Sequence, residues 1–199
     1  MITMSIKTAI LIYDGAAELD FVGPHEVFSI SSSIAHPEDQ LYTVAKTNDI
    51  VIGLGGLKIV PDYTFATAPV PDILIVPGTQ DPLPILGQKE ILDWVKKMDE
   101  KTMWTTSVCT GAFILLASGV AQGRKLTTHW MAIEPLKQMN LATVVEGVRY
   151  VQDGKIISAA GITAGIDMSL WLIGQIYGPE HARQVQEIME YHPVPPYQL

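Results

Sequence analysis

Five stretches rich in Ile, Val and Leu punctuate the chain, at Lys7 to Tyr13, Leu41 to Lys46, Asp72 to Val76, Met103 to Val108 and Lys155 to Ser158. Most lack the alternation of a strand with one wet face. Continuous apolar runs separated by helical patterns describe strands covered on both sides, the habit of a parallel sheet between helices. The α/β class follows, as a three-layer sandwich with a mostly parallel central sheet. Helical spacing fills the intervals: Pro24 stands early in a segment carrying Val27, Phe28 and Ile30, and Ile91, Leu92, Val95 and Met98 recur on one face. Thr163 to Tyr177 is apolar around most of its circumference, which predicts a helix buried between layers or at a subunit contact, and Glu180 to Tyr191 is more amphipathic. Val51 to Val60 reads as a small hairpin with a glycine turn, added to the main sheet. It is no dinucleotide fingerprint, because Lys58 stands where that pattern needs glycine.

With 199 residues, 48% of them hydrophobic and 17% charged, the chain is expected to form one domain over 1–199. A net charge of −8 argues against nucleic acid and against anionic membranes as partners. No apolar segment approaches the ~20 residues of a membrane span. Residues 1–7 carry one cation before an apolar stretch that Asp14 interrupts, a poor signal peptide, so a reducing, cytoplasmic setting is expected.

The single cysteine, Cys109, stands where a strand pattern changes abruptly into a helix pattern. Ser107 and Gly111, two residues to either side, are small, as a sharp strand-to-helix elbow requires of a nucleophile. At the start of the following helix the unpaired N–H groups and the dipole favour a thiolate, so an acidic and exposed thiol is expected there, against the alternative of an inert buried cysteine. Ligands in parallel α/β sheets bind beyond the carboxyl ends of the strands, which brings three loops under scrutiny: Asp14 to Glu26, Val76 to Thr79, and the Cys109 elbow. Glu18 and Asp20 are candidate proton carriers, Asp20 being equally suited to cap a helix near Pro24 and Glu18 to a solvated loop position. The backbone N–H groups around Gly78, Thr79 and Thr110 are candidates for an oxyanion hole, although Gly78 also suits a plain turn and Thr110 a helix start.

The five histidines, at 25, 36, 129, 181 and 192, show no metal-ligand spacing, and no metal is expected. His129 is the one placed to approach the elbow, with a structural hydrogen bond as its competing role. His25 and His36 suit surface or packing positions.

Thr106-Ser-Val-Cys-Thr-Gly111, Gly123-Arg-Lys-Leu-Thr-Thr-His-Trp130 and Ala160-Gly-Ile-Thr-Ala-Gly-Ile-Asp167 resemble the ThiJ/PfpI superfamily, most nearly its isocyanide hydratase branch. The likeness runs from Leu19-Asp-Phe-Val-Gly-Pro-His25 to the closing Tyr191-His-Pro-Val-Pro-Pro196. It implies a flavodoxin-like fold, a homodimer, a small-molecule substrate and no cofactor. It also implies that Cys109 is the nucleophile, Asp20 the acid beside it and Thr110 the threonine after it, with Ile162 where the chain passes the sulfur. The implied reaction is hydration of an isocyanide to an N-substituted formamide, by thiolate attack with Asp20 as general acid. Glyoxalase-type dicarbonyl hydration and a redox or ligand sensor at the same thiol are the alternatives. The sequence departs from the pattern at Thr79, where the family often has a second glycine after Pro-Gly, and at Ala160, where glycine is usual in the hydratases. AraC-type regulators share these motifs but add a DNA-binding domain, which is not expected here.

Overall fold

The computed structural model describes residues 5–193, so the first four residues of the leader segment and the end of the closing motif read above lie outside them. The chain runs β1 (Lys7–Leu11), α1 (Glu18–Ala35), β2 (Gln40–Ala45), β3 (Val51–Ile52), β4 (Lys58–Ile59), β5 (Tyr63–Thr64), β6 (Ile73–Val76), α2 (Leu83–Leu86), α3 (Lys89–Asp99), β7 (Trp104–Val108) and α4 (Gly111–Ala117). It continues with β8 (Lys125–Leu126), a 3₁₀ turn (Trp130–Ala132), α5 (Ile133–Gln138), β9 (Thr143–Val144), β10 (Tyr150–Asp153), β11 (Ile156–Ala159), α6 (Ala164–Tyr177) and α7 (Pro179–Ile188).

Seven strands form the main sheet in the order β10-β11-β7-β6-β1-β2-β5, parallel throughout except for the antiparallel edge strand β10. All five expected strands are in it. β6 is buried at every residue, and β1 and β7 at all but their first, as strands covered on both faces must be. α1, α6 and α7 pack together on the sheet, while α4 joins α2 and α3 to β6 and β7. α6 packs against β7, β10 and β11 and against α1 and α7, with Met168, Leu170, Leu172 and Ile173 buried. Among the described residues no helix is long and apolar enough to cross a membrane.

Two expectations are corrected. The helix around Pro24 begins at Glu18, so Pro24 lies inside it and not near its start. A proline there withholds the amide that would bond to the carbonyl of Asp20 four residues back. The hairpin at 51–60 is a separate two-stranded sheet and not an extension of the main one. Its first strand bonds to the loop after β1: Gly15 N–H donates to the Ile52 carbonyl at 2.8 Å, and Ile52 N–H to Asp14 Oδ1 at 2.8 Å.

Candidate active site

β1 pairs with β6 and β6 with β7, all in parallel, so the loops leaving these strands emerge side by side. Asp20, Gly78 and Cys109 meet there. Cys109 has φ 56°, a left-handed conformation that a non-glycine residue holds only when its surroundings dictate it. Its N–H donates to the carbonyls of Ala160 at 2.8 Å and Ala159 at 3.2 Å, and its own carbonyl accepts the Thr128 hydroxyl at 2.7 Å. A Cβ on Gly111 would lie 2.2 Å from the Val76 carbonyl oxygen, so the elbow closes only with glycine there. Ser107, on the other side of the elbow, is fully buried, and its Oγ has no hydrogen-bond partner.

The expectation of an acidic, exposed thiol is corrected. Cys109 is 8% exposed. Burial first, then the charge of Asp20, push its thiol up to about 12, while the N–H groups of Thr110 and Ile162 pull in the opposite direction. α4 has only seven residues, too short for its end to offset that desolvation. Burial and the neighbouring carboxylate thus oppose ionisation of the thiol.

Asp20 is 0% exposed and is the third residue of α1, whose N-cap is Ala17, so the capping role does not apply. Its Oδ2 accepts the Gly78 N–H at 3.0 Å, and its buried Oδ1 has no partner among the described residues. Desolvation raises its carboxyl to about 6, against a smaller lowering by the Gly78 bond. Tyr13, in the loop after β1, is buried and donates its hydroxyl to the Pro77 carbonyl at 2.8 Å; burial first, then the charge of Asp20, raise its pKa.

Gly78 is more than a turn residue, since a Cβ there would lie 2.5 Å from Thr110 N and 3.0 Å from Asp20 Oδ2. Its N–H, expected to serve an oxyanion, is given to Asp20 instead. Thr79 N–H is likewise committed, donating to Thr110 Oγ1 at 2.8 Å, while the Thr110 hydroxyl donates to the Thr79 carbonyl at 2.6 Å. Thr110 does stand at the N-cap of α4, but its side chain makes no capping bond. The N–H groups that act on the sulfur come from Thr110 and Ile162. Ile162 has φ 48°, an outlying conformation for a β-branched residue.

Glu18 is not the solvated loop charge expected of it. It opens α1 and accepts the Gly55 N–H at 2.5 Å. His129 has both of its expected roles: Nδ1 accepts the Met131 N–H at 3.3 Å, and the ring lines the cavity above the sulfur. That bond leaves the proton of a neutral ring on Nε2.

Cys109, Thr110, Thr79 and Ile162 open into this cavity of about 590 Å³. Its other walls are largely apolar, from Leu54, Leu83, Phe113 and Met131. Sequence reasoning missed these four. Phe113 carried a usable signal, lying in the first turn of the helix that follows the nucleophile; the loop residues carried none. A second cavity of about 730 Å³ against α6 and α7 holds no nucleophile, and Arg149 there is paired with Asp167. Among the described residues no group of three or more His, Cys, Asp or Glu side chains is arranged to hold a metal ion.

Comparison with known proteins places this site in context. A family model described as the DJ-1/PfpI family matches residues 6–175. The isonitrile hydratase of Pseudomonas putida is 34% identical over 194 residues, covering 98% of this chain and 82% of that protein. A crystal structure of a ThiJ/PfpI family protein from Pseudomonas syringae superimposes with TM-score 0.89 at 33% identity, over 98% of this chain and 78% of the other. The HTH-type transcriptional regulator CdhR of Pseudomonas aeruginosa is 27% identical over 89% of this chain, which spans 52% of that regulator's length.

Proposed function

The chain belongs to the DJ-1/PfpI family, and from that premise we propose that it hydrates isocyanides to N-substituted formamides by covalent catalysis at Cys109. One observation carries the reading: the Cys109 thiol lines a large, mainly apolar cavity, and the fully buried, proton-affine carboxyl of Asp20 acts on it from behind that wall. The likeness to an isonitrile hydratase supports the substrate class.

The pair holds one proton at neutral pH, on sulfur, with Asp20 ionised. As sulfur bonds to the terminal carbon of the isocyanide, Asp20 takes the thiol proton and delivers it to that same carbon, giving a thioimidate, R–N=CH–S–Cys109. A carboxyl raised to about 6 by burial is matched to both halves of this transfer. Developing charge on sulfur is met by the N–H groups of Thr110 and Ile162, which are fixed before the reaction begins. Water then adds to the thioimidate carbon, with Asp20 taking its proton and passing it to nitrogen. Collapse of the adduct releases R–NH–CHO and returns the proton to Cys109. Splitting the hydration into two additions at a good leaving group is the gain of covalent catalysis.

The homodimer belongs to the same family reading, and light scattering at twice the 21.8 kDa chain mass is its test. The reaction is tested by incubating the protein with an aryl or alkyl isocyanide and following the formamide. Product from wild type and none above background from Cys109→Ala supports the reading. A silent wild type, or equal turnover by the variant, ends it, and lactate from methylglyoxal would move it to the dicarbonyl class.

A further inference from the structure

The hairpin formed by β3 and β4 lies far from the nucleophile in sequence yet supplies Leu54 to the cavity around it. Leu54 is the residue after Gly53, where the hairpin turns, and its side chain is 47% exposed. Such a leucine in a cavity wall has no core partner to satisfy and is available to an apolar ligand.

What holds it there is a chain of bonds leading back to the elbow. Leu54 N–H donates to the Ala16 carbonyl at 2.9 Å, and Ala17 N–H donates to the Gly78 carbonyl at 2.9 Å. Gly78 is the residue bonded to Asp20. The tip of the hairpin is fixed separately by Glu18, whose Oε1 accepts the Gly55 N–H at 2.5 Å. The turn is built around that carboxylate: a Cβ on Gly53 would lie 2.6 Å from Glu18 Oε1, and one on Gly55 3.1 Å from it. Two glycines thus admit one carboxylate into the turn that carries Leu54. Gly56, with φ 95°, completes the reversal.

We propose that Leu54 determines which N-substituents the site accepts, and that Glu18 is the positioning residue that clamps its hairpin over the cavity. The inference rests on the isocyanide reading for its substrate and assigns Glu18 no part in proton transfer. A bulky apolar substituent, aryl or cycloalkyl, reaches Leu54 and gains from it. A methyl group held near the sulfur does not.

Kinetics with p-tolyl isocyanide and methyl isocyanide test this in wild type, Leu54→Ala, Glu18→Ala and Glu18→Gln. For the aryl substrate, KM is expected to rise roughly ten-fold in Leu54→Ala and roughly five-fold in Glu18→Ala with kcat within about two-fold, the size expected for losing part of an apolar wall. Methyl isocyanide kinetics stay put, and Glu18→Gln, which keeps an acceptor oxygen for Gly55, restores the aryl KM. A fall in kcat with KM unchanged, failure of the glutamine to rescue, or equal effects on both substrates would overturn the proposal. Two further readouts do not depend on turnover. Amide hydrogen exchange at Gly55 is expected to speed at least roughly ten-fold in Glu18→Ala and to return in Glu18→Gln, and calorimetry in a Cys109→Ala background is expected to show weaker p-tolyl isocyanide binding once Leu54 is Ala. Unchanged exchange or unchanged binding rejects the clamp or the wall even if wild type proves inactive, whereas inactivity alone rejects only the reaction.

Discussion

Replacing Asp20 by asparagine separates what this residue does for catalysis from what it costs the fold. Burial raises the carboxyl from 3.8 to about 6, and at about 1.4 kcal/mol per unit its ionisation is roughly 3 kcal/mol less favourable in the folded chain than in the unfolded one. The sign is set by proton uptake. Below the unfolded value both states are protonated and the folded state is not penalised; as pH rises through about 4 to 6 the unfolded chain releases its proton first, and stability declines to a lower plateau. Asparagine never ionises, so its stability shows no such decline. Its amide oxygen can take the Gly78 N–H, and its NH₂ occupies the position where Oδ1 now has no partner. Asp20→Asn is therefore expected to match wild type near pH 4 in relative terms and to gain on it by roughly 2–3 kcal/mol by pH 7.5. Urea unfolding across that range measures the gap. In the same protein kcat/KM should fall by at least roughly 100-fold, the usual contribution of a general acid-base group. A stability gap that does not change with pH would refute the assignment of a buried, proton-affine carboxyl, and undiminished turnover would remove Asp20 from the reaction.

The pH profile of wild type follows from the same pair: kcat/KM should rise through about pH 6 as Asp20 ionises and becomes able to take the thiol proton, then hold level, since the thiol lies at about 12; a profile flat from pH 5 to 8 would contradict this. Thr110→Val strips the Thr79 N–H and carbonyl of their partner, which should lower stability by about 1–3 kcal/mol and kcat/KM about ten-fold, read by urea unfolding and steady-state kinetics. Gly78→Ala drives a methyl group against Thr110 N at 2.5 Å, and a loss of more than about 2 kcal/mol in the melting transition together with loss of turnover is expected. An alanine there that melts and turns over like wild type would show that the elbow and the Pro77-Gly78 loop are not in contact.

The layers were legible because burial on both faces writes itself as uninterrupted Ile, Val and Leu. The strands of the main sheet that escaped notice are those that do not meet this condition: β5 has two residues, and β10 is an antiparallel edge without a buried residue. The start of α1 was hidden because proline signals a first turn more often than an interior, and here it sits in the interior. At the site, Cys109 was legible through the sizes of Ser107 and Gly111, which are local requirements of a sharp turn. Its ionisation was not, because a helix end can be read from sequence while desolvation depends on what covers the sulfur. The same holds for Gly78, whose N–H is taken by an aspartate 58 residues away, and for Glu18, whose partner Gly55 is 37 residues away. Neither pairing leaves a local pattern.

Covalent catalysis at Cys109 requires that carbon become bonded to its sulfur during turnover. Rapid mixing of wild type with excess p-tolyl isocyanide, acid quench and mass analysis of the peptide containing Cys109 should show one isocyanide added, appearing before the formamide and decaying as fast as product forms. Formamide released while that peptide stays unmodified, or an adduct on another side chain, would contradict it.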